Sequence, residues 1–449
     1  MPVEFISPSP DPTRSAPPAT TETYIVQNGD TLGGIALEYN TTPEALAQMN
    51  GVADLASIGV GQSLSVPLDG ITQTGPALKI APDSEVVYGP GTVGFDVEDF
   101  VARTNGYVRS YTEEVEGEVL TGAQIVQLVA ERYSVGPRVL LALIEYRGGW
   151  LSSSSPDATA LYYPAGHAVD AWSGLHQQLT WAADHLNDGY YGWKTRDRET
   201  IRLSDSTRVR IAPGLNAGTI GLQSLLAIDS SADAWAKDVG PDGFVATYRA
   251  WFGDPFARAV ESTPLPLLYQ PELALPWPQG ETWYFTGGPH GAWAPGSGWG
   301  ALDFMAPDGG LGCYQSDAWV TSMSDGLVVR SRAGEVLVDL DGDGHEQTGW
   351  VILYLHVEER DRVAAGALVR TGDRVGHPSC EGGASTATHL HVARRYDGEW
   401  IAAGGPAPFS IGGWIPAAAS REYDGALQKE GVRKDACECR DDAVNGITH

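Results

Sequence analysis

The chain has 449 residues, which is too long for one ordinary domain and predicts two or three. Its formal net charge of -28, from 57 acidic against 29 basic residues, repels phosphate backbones and anionic lipid, which argues against a nucleic-acid-binding function. No run of 18 apolar residues occurs, so no membrane span is expected, and 55 Gly with 29 Pro indicate many turns.

The N-terminal residues 1–21 are rich in Pro, Ser and Thr, a composition typical of an extended, disordered leader. This leader lacks the basic start and the apolar core of an ordinary signal peptide. Either the natural start lies upstream or a signal has been removed, and the sequence leaves both readings open.

Residues 22–68 carry the pattern of a small β-α-α-β unit. A short alternating strand at 24–26 is followed by NGDT at 28–31, which is a turn and a helix cap. Thr and Pro at 42–43 begin a second helix, and 61–67 return as a strand. Through YIVQNGDTL, IALEYNTT, LAQMN and VGQSLSVP this unit closely resembles a LysM domain. The resemblance implies binding of N-acetylglucosamine-containing glycan in a groove between residues 29–32 and 52–58.

Residues 68–85 have the composition of a linker, and residues 86–270 follow as a mixed region with helical periodicity. Apolar residues recur at helical spacing in four segments, 122–133, 137–146, 175–193 and 216–228. Through LLALIEYRGGW and AGTIGLQSLLA the region is distantly similar to the lysozyme-like fold of lytic transglycosylases.

One departure from that pattern bears on catalysis. Arg147 occupies the position of the general acid, and arginine cannot donate a proton to a leaving oxygen. Glu145 lies two residues earlier, about 200° around the helix. We therefore expect a non-catalytic lysozyme-like domain, with Glu145 as a displaced acid kept as the alternative.

From about residue 276 the sequence changes to short β-type runs bounded by turn residues. This region contains His389-Leu390-His391, and residues i and i+2 of a strand share one face about 6.5–7 Å apart. Two imidazoles on one face suit a metal site, with Leu390 packing behind. Tyr354-Leu355-His356 has the same alternation, and Asp303 follows a Gly-rich stretch that begins at His290.

The region resembles the lysostaphin-type (LytM-like) zinc metallopeptidases, and among them the β-lytic, staphylolysin-like branch with a long insertion between the first His and the Asp. The motifs are DGLVV, YLH, VRTGDRVGHPSC and THLHV. The resemblance implies that His290, Asp303 and His391 are zinc ligands and that His356 and His389 are the catalytic pair. Three protein ligands leave a fourth zinc position for water, whose pKa falls toward about 7.

Four cysteines lie in the last third of the chain. Cys313 and Cys380 fall in one predicted domain and could form a disulfide. For Cys437 and Cys439 a strained bridge, a free dithiol and soft-metal capture all remain open. The DLDGDG run at 339–344 lacks the closing Glu of a calcium loop, which favours a hairpin turn with incidental calcium binding as the alternative. His345 and His377 are expected to have surface or packing roles.

The predicted fold class is a multidomain α+β protein with a small βααβ LysM unit, a mostly α lysozyme-like middle domain and an antiparallel β-rich metallopeptidase domain. The predicted boundaries are a leader at 1–21, LysM at 22–68, the helical domain at 86–270, the peptidase at 276–418 and a polar tail at 419–449.

The sequence thus predicts an exported zinc metalloendopeptidase that hydrolyses peptide bonds of peptidoglycan and is targeted by its LysM domain. Zinc is the expected cofactor. Peptidoglycan is the expected partner, its peptide as substrate and its glycan as LysM ligand. We expect a monomer located outside the cell or in the wall. The alternatives are a non-catalytic wall-binding activator and a glycosidase that acts through the middle domain.

Overall fold

The computed structural model describes residues 11–14, 19–260 and 267–449. These residues divide into a first compact unit, up to residue 260, and a second compact unit, from residue 267. Among the helices described, none has both the length and the apolar character needed to cross a bilayer. The fold mixes helices with antiparallel sheet, as the composition and patterning predict.

The first unit begins with the predicted β-α-α-β unit. Its elements are β1 (Thr21–Ile25), α1 (Leu32–Glu38), α2 (Pro43–Asn50) and β2 (Ser63–Pro67), with β1 antiparallel to β2. The hydroxyl of Thr31 accepts from Gly34 N at 3.1 Å and caps α1, and Thr42 caps α2 in the same way. Local capping and apolar spacing therefore predicted these four elements correctly.

The rest of the first unit is mostly helical. Its elements are α3 (Asp83–Val86), α4 (Val97–Ala102), β3 (Thr112–Val115), β4 (Glu118–Thr121), α5 (Gly122–Tyr133), α6 (Pro137–Gly148), α7 (Ala158–Tyr162), α8 (Leu175–Thr195), β5 (Thr200–Arg202), β6 (Arg208–Arg210), α9 (Ala217–Ala227), α10 (Ala232–Asp238) and α11 (Phe244–Phe252). The four helices predicted from periodicity are α5, α6, α8 and α9. A Cβ on Gly189 of α8 would lie 2.6 Å from the Cβ of Ser224 on α9, so the close packing of these two helices requires glycine there.

The β-α-α-β unit is bound to the helical region by buried polar contacts. Glu22 of β1 is 4% exposed and accepts the backbone N–H groups of Glu199 and Thr200, each at 2.7 Å. Its other oxygen accepts the hydroxyls of Thr200 and Tyr39, both at 2.5 Å. The guanidinium of Arg210 donates to three backbone carbonyls, those of Ala19, Leu68 and Ile71.

The segment expected to be a linker is packed rather than free. Leu68, Ile80 and Ala81 are buried, and Thr74 forms a β-bridge with Arg210. Its few apolar residues are enough to fix it, although its composition is that of a loop.

The predicted disordered leader lies in large part outside the described residues. Of its described part, the carboxylate of Asp11 accepts from Asp83 N at 2.9 Å, Arg14 pairs with Glu199, and Thr21 already belongs to β1. For these residues the expectation of disorder is wrong, because the side chains of Asp11 and Arg14 contact the folded unit and Thr21 pairs in a strand.

The second unit is built of β-strands. They are β7 (Thr282–His290), β8 (Ala301–Met305), β9 (Val320–Thr321), β10 (Gly326–Arg332), β11 (Glu335–Asp339), β12 (Trp350–Leu355), β13 (Leu368–Val369), β14 (Arg374–Gly376), β15 (Leu390–Tyr396), β16 (Glu399–Trp400), β17 (Ile415–Ala418), β18 (Gly425–Lys429), β19 (Val432–Asp435) and β20 (Gly446–Thr448). The main sheet has the order β13-β10-β11-β12-β15-β8-β7-β20, with β16 paired to β15. Its pairings are antiparallel, and its buried face packs Trp277, Trp283, Phe285 and Phe304.

Residues 419–449, predicted to be a polar tail, are folded into this unit. β18 pairs with β17 and β19, and β20 pairs with β7 at the edge of the main sheet. Leu427 and Ile447 are fully buried. The prediction was wrong because two apolar residues in a polar sequence are enough to hold short strands once a sheet edge is available to them.

The cysteines and the DLDGDG run take definite forms. Cys313 and Cys380 form the predicted disulfide, and Cys437 and Cys439 form a second one, which selects one of the three possibilities left open. The DLDGDG run is the turn of the β11–β12 hairpin, as predicted, with Asp339 accepting from Gly344 N at 2.9 Å.

Candidate metal centre

Four neighbouring strands of the main sheet each bring one predicted site residue to the same place. His290 ends β7, Asp303 lies in β8, His391 lies in β15, and His356 directly follows β12. The register sets Asp303 opposite His391 and Leu355 opposite His391. Residues separated by up to 101 positions along the chain thus meet because their strands are adjacent in the sheet.

Three of these side chains converge closely. His290 Nε2 lies 3.1 Å from His391 Nδ1 and 3.4 Å from Asp303 Oδ1, and His391 Nδ1 lies 3.2 Å from the same Asp303 oxygen. All three residues are buried. The three side chains can offer their ligand atoms to a single metal ion.

Backbone carbonyls determine which ring nitrogen faces the centre. His290 Nδ1 lies 2.8 Å from the carbonyl of Gly288, and His391 Nε2 lies 3.0 Å from that of Ala292. A carbonyl only accepts, so these two nitrogens carry the protons. The opposite nitrogens, which face Asp303, therefore present lone pairs. Such outer hydrogen bonds are the usual way in which metal-binding imidazoles are oriented.

The centre has the electrostatics of a cation site. Asp303 Oδ1 is buried and accepts no hydrogen bond from the described residues. A buried carboxylate oxygen that faces two imidazole lone pairs, with no proton between them, is unfavourable unless a cation lies among them. Two neutral imidazoles and one carboxylate, with a fourth position left open, form a donor set that suits zinc.

A glycine makes room for the carboxylate. Gly287 pairs with Asp303 across β7 and β8, and a Cβ at Gly287 would lie 2.5 Å from Asp303 Oδ2. The β7–β8 register shifts on both sides of Gly287, and these irregularities turn the end of β7 toward the centre.

The protonation states follow from burial. Burial lowers the pKa of His290 to about 4, against the opposing charge of Asp303. Burial, together with the nearby His389 and His391, lowers the pKa of His356 to about 3. Burial by itself raises the pKa of Asp303, but the facing imidazoles hold it well below its usual range. At neutral pH Asp303 is therefore ionised, and His290 and His356 are neutral.

His356 and His389 form a second layer beside the three converging groups. Their ring centroids are 4.5 Å apart, and His389 Nε2 lies 3.6 Å from Asp303 Oδ1. His389 Nδ1 faces the carbonyl of Ala387 at 2.7 Å, and His356 Nδ1 faces that of Glu381 at 2.9 Å. Both rings therefore carry the proton on Nδ1 and leave Nε2 free to accept one.

Tyr423 also belongs to the site and was missed in the sequence. Its ring stacks on that of His290, with centroids 4.1 Å apart and planes 20° from parallel. Its carbonyl accepts from Gly288 N at 2.7 Å, which fixes it to the end of β7. Burial, then the charge of Asp303, raises the pKa of Tyr423 to about 12. No motif marks this residue, because it lies in a segment that composition alone describes as a tail.

Other residues singled out in the sequence lie apart from the centre. Glu145 Oε2 accepts the N–H groups of Leu151 at 2.8 Å and Ser152 at 3.1 Å, so this carboxylate closes the end of its own helix. Arg147 pairs with Asp238. His377 is buried against Trp319, and His345 is exposed in the β11–β12 turn, as the packing and surface roles predicted for them require.

Comparisons with known proteins match two families in the first unit and a protease over most of the chain. Residues 24–67 match the LysM domain family, and residues 79–265 match the family described as LasA, N-terminal domain. The chain is 26% identical over 352 residues to Protease LasA from two strains of Pseudomonas aeruginosa, covering 74% of this chain and 78% of the relative.

Solved structures give more distant matches. The M23 metalloprotease pseudoalterin, from the deep sea, is 23% identical with a TM-score of 0.32 and covers 40% of this chain and 99% of its own. The catalytic domain of lysostaphin from Staphylococcus simulans is 19% identical with a TM-score of 0.20. This match covers 27% of this chain and 89% of the lysostaphin chain.

The chain therefore contains a LysM domain and is similar to a protease over about three quarters of its length. The predicted LysM and peptidase resemblances are confirmed. The similarity of the middle region to lytic transglycosylases remains a prediction, because the family that matches there is the LasA N-terminal domain.

Proposed function

We propose that this chain is an exported zinc metalloendopeptidase that hydrolyses peptide bonds in bacterial peptidoglycan, in the stem or the cross-bridge. The observation that carries the proposal is the buried oxygen of Asp303, which has no hydrogen-bond donor among the described residues and faces the lone pairs of His290 and His391. The similarity to Protease LasA supports a peptidase.

His290, Asp303 and His391 would hold the ion. A zinc ion held by these ligands supplies Lewis acidity toward the scissile carbonyl and toward water. His356 and His389, each with a free Nε2, would orient the attacking water and accept its proton. One of the two would then donate a proton to the leaving amine nitrogen.

The LysM domain would hold the protein on the glycan of the same polymer. Binding to an insoluble substrate raises the local concentration of its peptides around the site without any change in the site itself. We place the protein in the wall or outside the cell, as a monomer. A glycosidase activity of the middle region has no support in the contacts of Glu145, because its carboxylate is engaged by the backbone.

The test uses the purified chain and soluble cross-linked muropeptides, with products read by mass and by new primary amines. We expect cleavage that a chelator abolishes and added zinc restores. Asp303→Asn should lose bound zinc and lower cleavage by more than the roughly 100-fold typical of an outer-shell change. Asp242→Asn, at an exposed position of the first unit, is the control and should keep both bound zinc and cleavage.

Two outcomes would contradict the proposal. Sugar release that survives chelation would point to a glycosidase. Wall binding with no cleavage of peptides from several bridge types, despite bound zinc, would point to a non-catalytic wall-binding activator.

A further inference from the structure

The backbone at one of the proposed catalytic residues is unusual. His356 follows the last residue of β12 and has φ of +64°, in the left-handed region that residues with a Cβ seldom occupy. Such a conformation costs free energy and persists only where the surroundings hold it. In His356 the conformation is held by contacts from residues 379–381.

Ser379 holds the main chain of His356. The N–H of Ser379 donates to the carbonyl of His356 at 2.6 Å, and the Ser379 hydroxyl donates to the same carbonyl at 3.0 Å. Two residues further on, the carbonyl of Glu381 receives the Nδ1 proton of the His356 ring at 2.9 Å. Residues 379–381 thus fix both the backbone and the ring of His356.

The same serine reaches the second histidine of the pair. Ser379 and His389 form an antiparallel β-bridge, and His389 N donates to the carbonyl of Ser379 at 3.3 Å. Ser379 therefore lies between His356 and His389 and bonds to the main chain of both. Ser379 is 8% exposed, and its hydroxyl also accepts from Glu381 N at 3.0 Å.

The segment that carries Ser379 has little regular structure of its own. It lies between β14 and β15 and is joined to the loop after β8 by the Cys313–Cys380 disulfide, one residue from Ser379. Thr388 adds to this connection, because its N–H donates to the carbonyl of Gly312 at 3.1 Å and its hydroxyl donates to that of Tyr314 at 2.7 Å.

We propose that Ser379 is a positioning residue that keeps His356 aligned with His389, and that the Cys313–Cys380 disulfide holds Ser379 in place, so that reduction of this bond lowers turnover while the metal centre stays loaded. The inference rests on the proposed peptidase function. The three metal-ligand side chains lie on β7, β8 and β15, and the disulfide joins none of these strands directly.

The reduction step is balanced by a phosphine reductant. The phosphine gives two electrons to the disulfide and takes an oxygen atom from water, forming a phosphine oxide, and the two protons of that water complete the thiols of Cys313 and Cys380. A phosphine is the chosen probe because, unlike a dithiol, it does not offer thiolate ligands to zinc.

The first experiment compares zinc-loaded wild type, Ser379→Ala and Ser379→Thr on a cross-linked muropeptide. We expect Ser379→Ala to lower kcat about 10- to 100-fold at unchanged KM and zinc content, as is typical when an orienting partner is lost. Ser379→Thr keeps the hydroxyl and should recover most of kcat. Histidine ring NMR should show a changed His356 environment in the Ala variant alone.

The second experiment tests the disulfide with a matched pair. Cys313→Ser/Cys380→Ser should lose kcat and keep zinc, whereas Cys437→Ser/Cys439→Ser should stay within about twofold of wild type. Phosphine should lower the kcat of Cys437→Ser/Cys439→Ser, which still has the Cys313–Cys380 disulfide. It should leave the kcat of Cys313→Ser/Cys380→Ser unchanged. If a variant does not fold, phosphine-treated wild type with its zinc content measured carries the test.

Other results would overturn the inference. These are full kcat in Ser379→Ala, parallel loss of zinc and activity, or equal losses from the two cysteine pairs. Failure of the peptidase proposal is recognised separately, since wild type would then cleave no peptide at all. In that case the NMR signals of His356 still report whether Ser379 and the disulfide position the ring.

Discussion

The ring of Tyr423 covers one face of His290, and we expect the ring, and not the hydroxyl, to keep the imidazole oriented. The ring stacks at 4.1 Å and restricts the imidazole, whose Nδ1 proton is already held by Gly288. We expect Tyr423→Ala to weaken zinc binding about 10-fold, because His290, the proposed ligand, loses part of its preorganisation. Tyr423→Phe keeps the stacking and should bind zinc as wild type does.

Competition with a chromogenic chelator measures this effect directly. Equal affinity in Tyr423→Ala and wild type would show that the ring does not orient His290. Equal weakening in Tyr423→Phe and Tyr423→Ala would assign the effect to the hydroxyl instead.

The carboxylate of Glu145 accepts two backbone N–H groups at the end of its helix. We expect Glu145→Ala to cost about 1–3 kcal/mol of unfolding free energy, since the two backbone N–H groups lose their acceptor. Release of reducing sugar from peptidoglycan should be the same in the variant and in wild type. A loss of sugar release on this substitution would revive the glycosidase alternative.

At the scale of single residues the sequence was informative where chemistry repeats along a strand. His389 and His391 are two positions apart, and that spacing alone places both imidazoles near one face. Asp303, His290 and His356 could be proposed only through resemblance, because their meeting depends on the order β12-β15-β8-β7, which no local pattern encodes. Tyr423 could not be found at all, for the same reason.

At the scale of elements, helices with clear apolar spacing were predicted well and short strands at sheet edges were not. Thr31 and Thr42 mark helix starts within a few residues of sequence. In β20, one buried apolar side chain, that of Ile447, holds a strand whose partner β7 begins more than 160 positions earlier. Such pairing depends on a non-local partner and is invisible in composition.

Glu22 of β1 provides a prediction at this scale. Its carboxylate accepts four hydrogen bonds from Tyr39, Glu199 and Thr200. In Glu22→Gln the two hydroxyls lose their charged acceptor and the buried guanidinium of Arg208 loses the carboxylate 3.7 Å away, so we expect a loss of about 2–4 kcal/mol in urea unfolding of the full chain. Glu118→Gln, at an exposed position of β4, should change it by less than about 0.5 kcal/mol. Equal effects of the two substitutions would remove Glu22 from this role.

At the scale of the whole molecule, the LysM domain and the peptidase site should be separable in function. Leu55 is 43% exposed within the loop 52–58 that the LysM resemblance assigns to the glycan groove. We expect Leu55→Asp to weaken binding to insoluble peptidoglycan about 10-fold, because loss of one apolar contact costs on the order of 1.4 kcal/mol. Cleavage of soluble muropeptides should not change.

Leu37→Asp, at an exposed position outside both groove loops, is the control and should bind as wild type does. Equal loss in both variants would mean that added negative charge, rather than the groove, determines binding. A fall in soluble-peptide cleavage would mean that the two functions are not separate.

The contacts of Glu22 and Arg210 also bear on how this protein could be re-engineered. A fusion that transplants residues 22–68 onto another enzyme would strip that carboxylate of three donors and take the backbone carbonyl of Leu68 away from Arg210. The excised fragment would expose the carboxylate of Glu22 to solvent, and the remainder would expose the guanidinium of Arg210. The segment to transfer is therefore the whole first unit, and the junction of such a fusion belongs after residue 260.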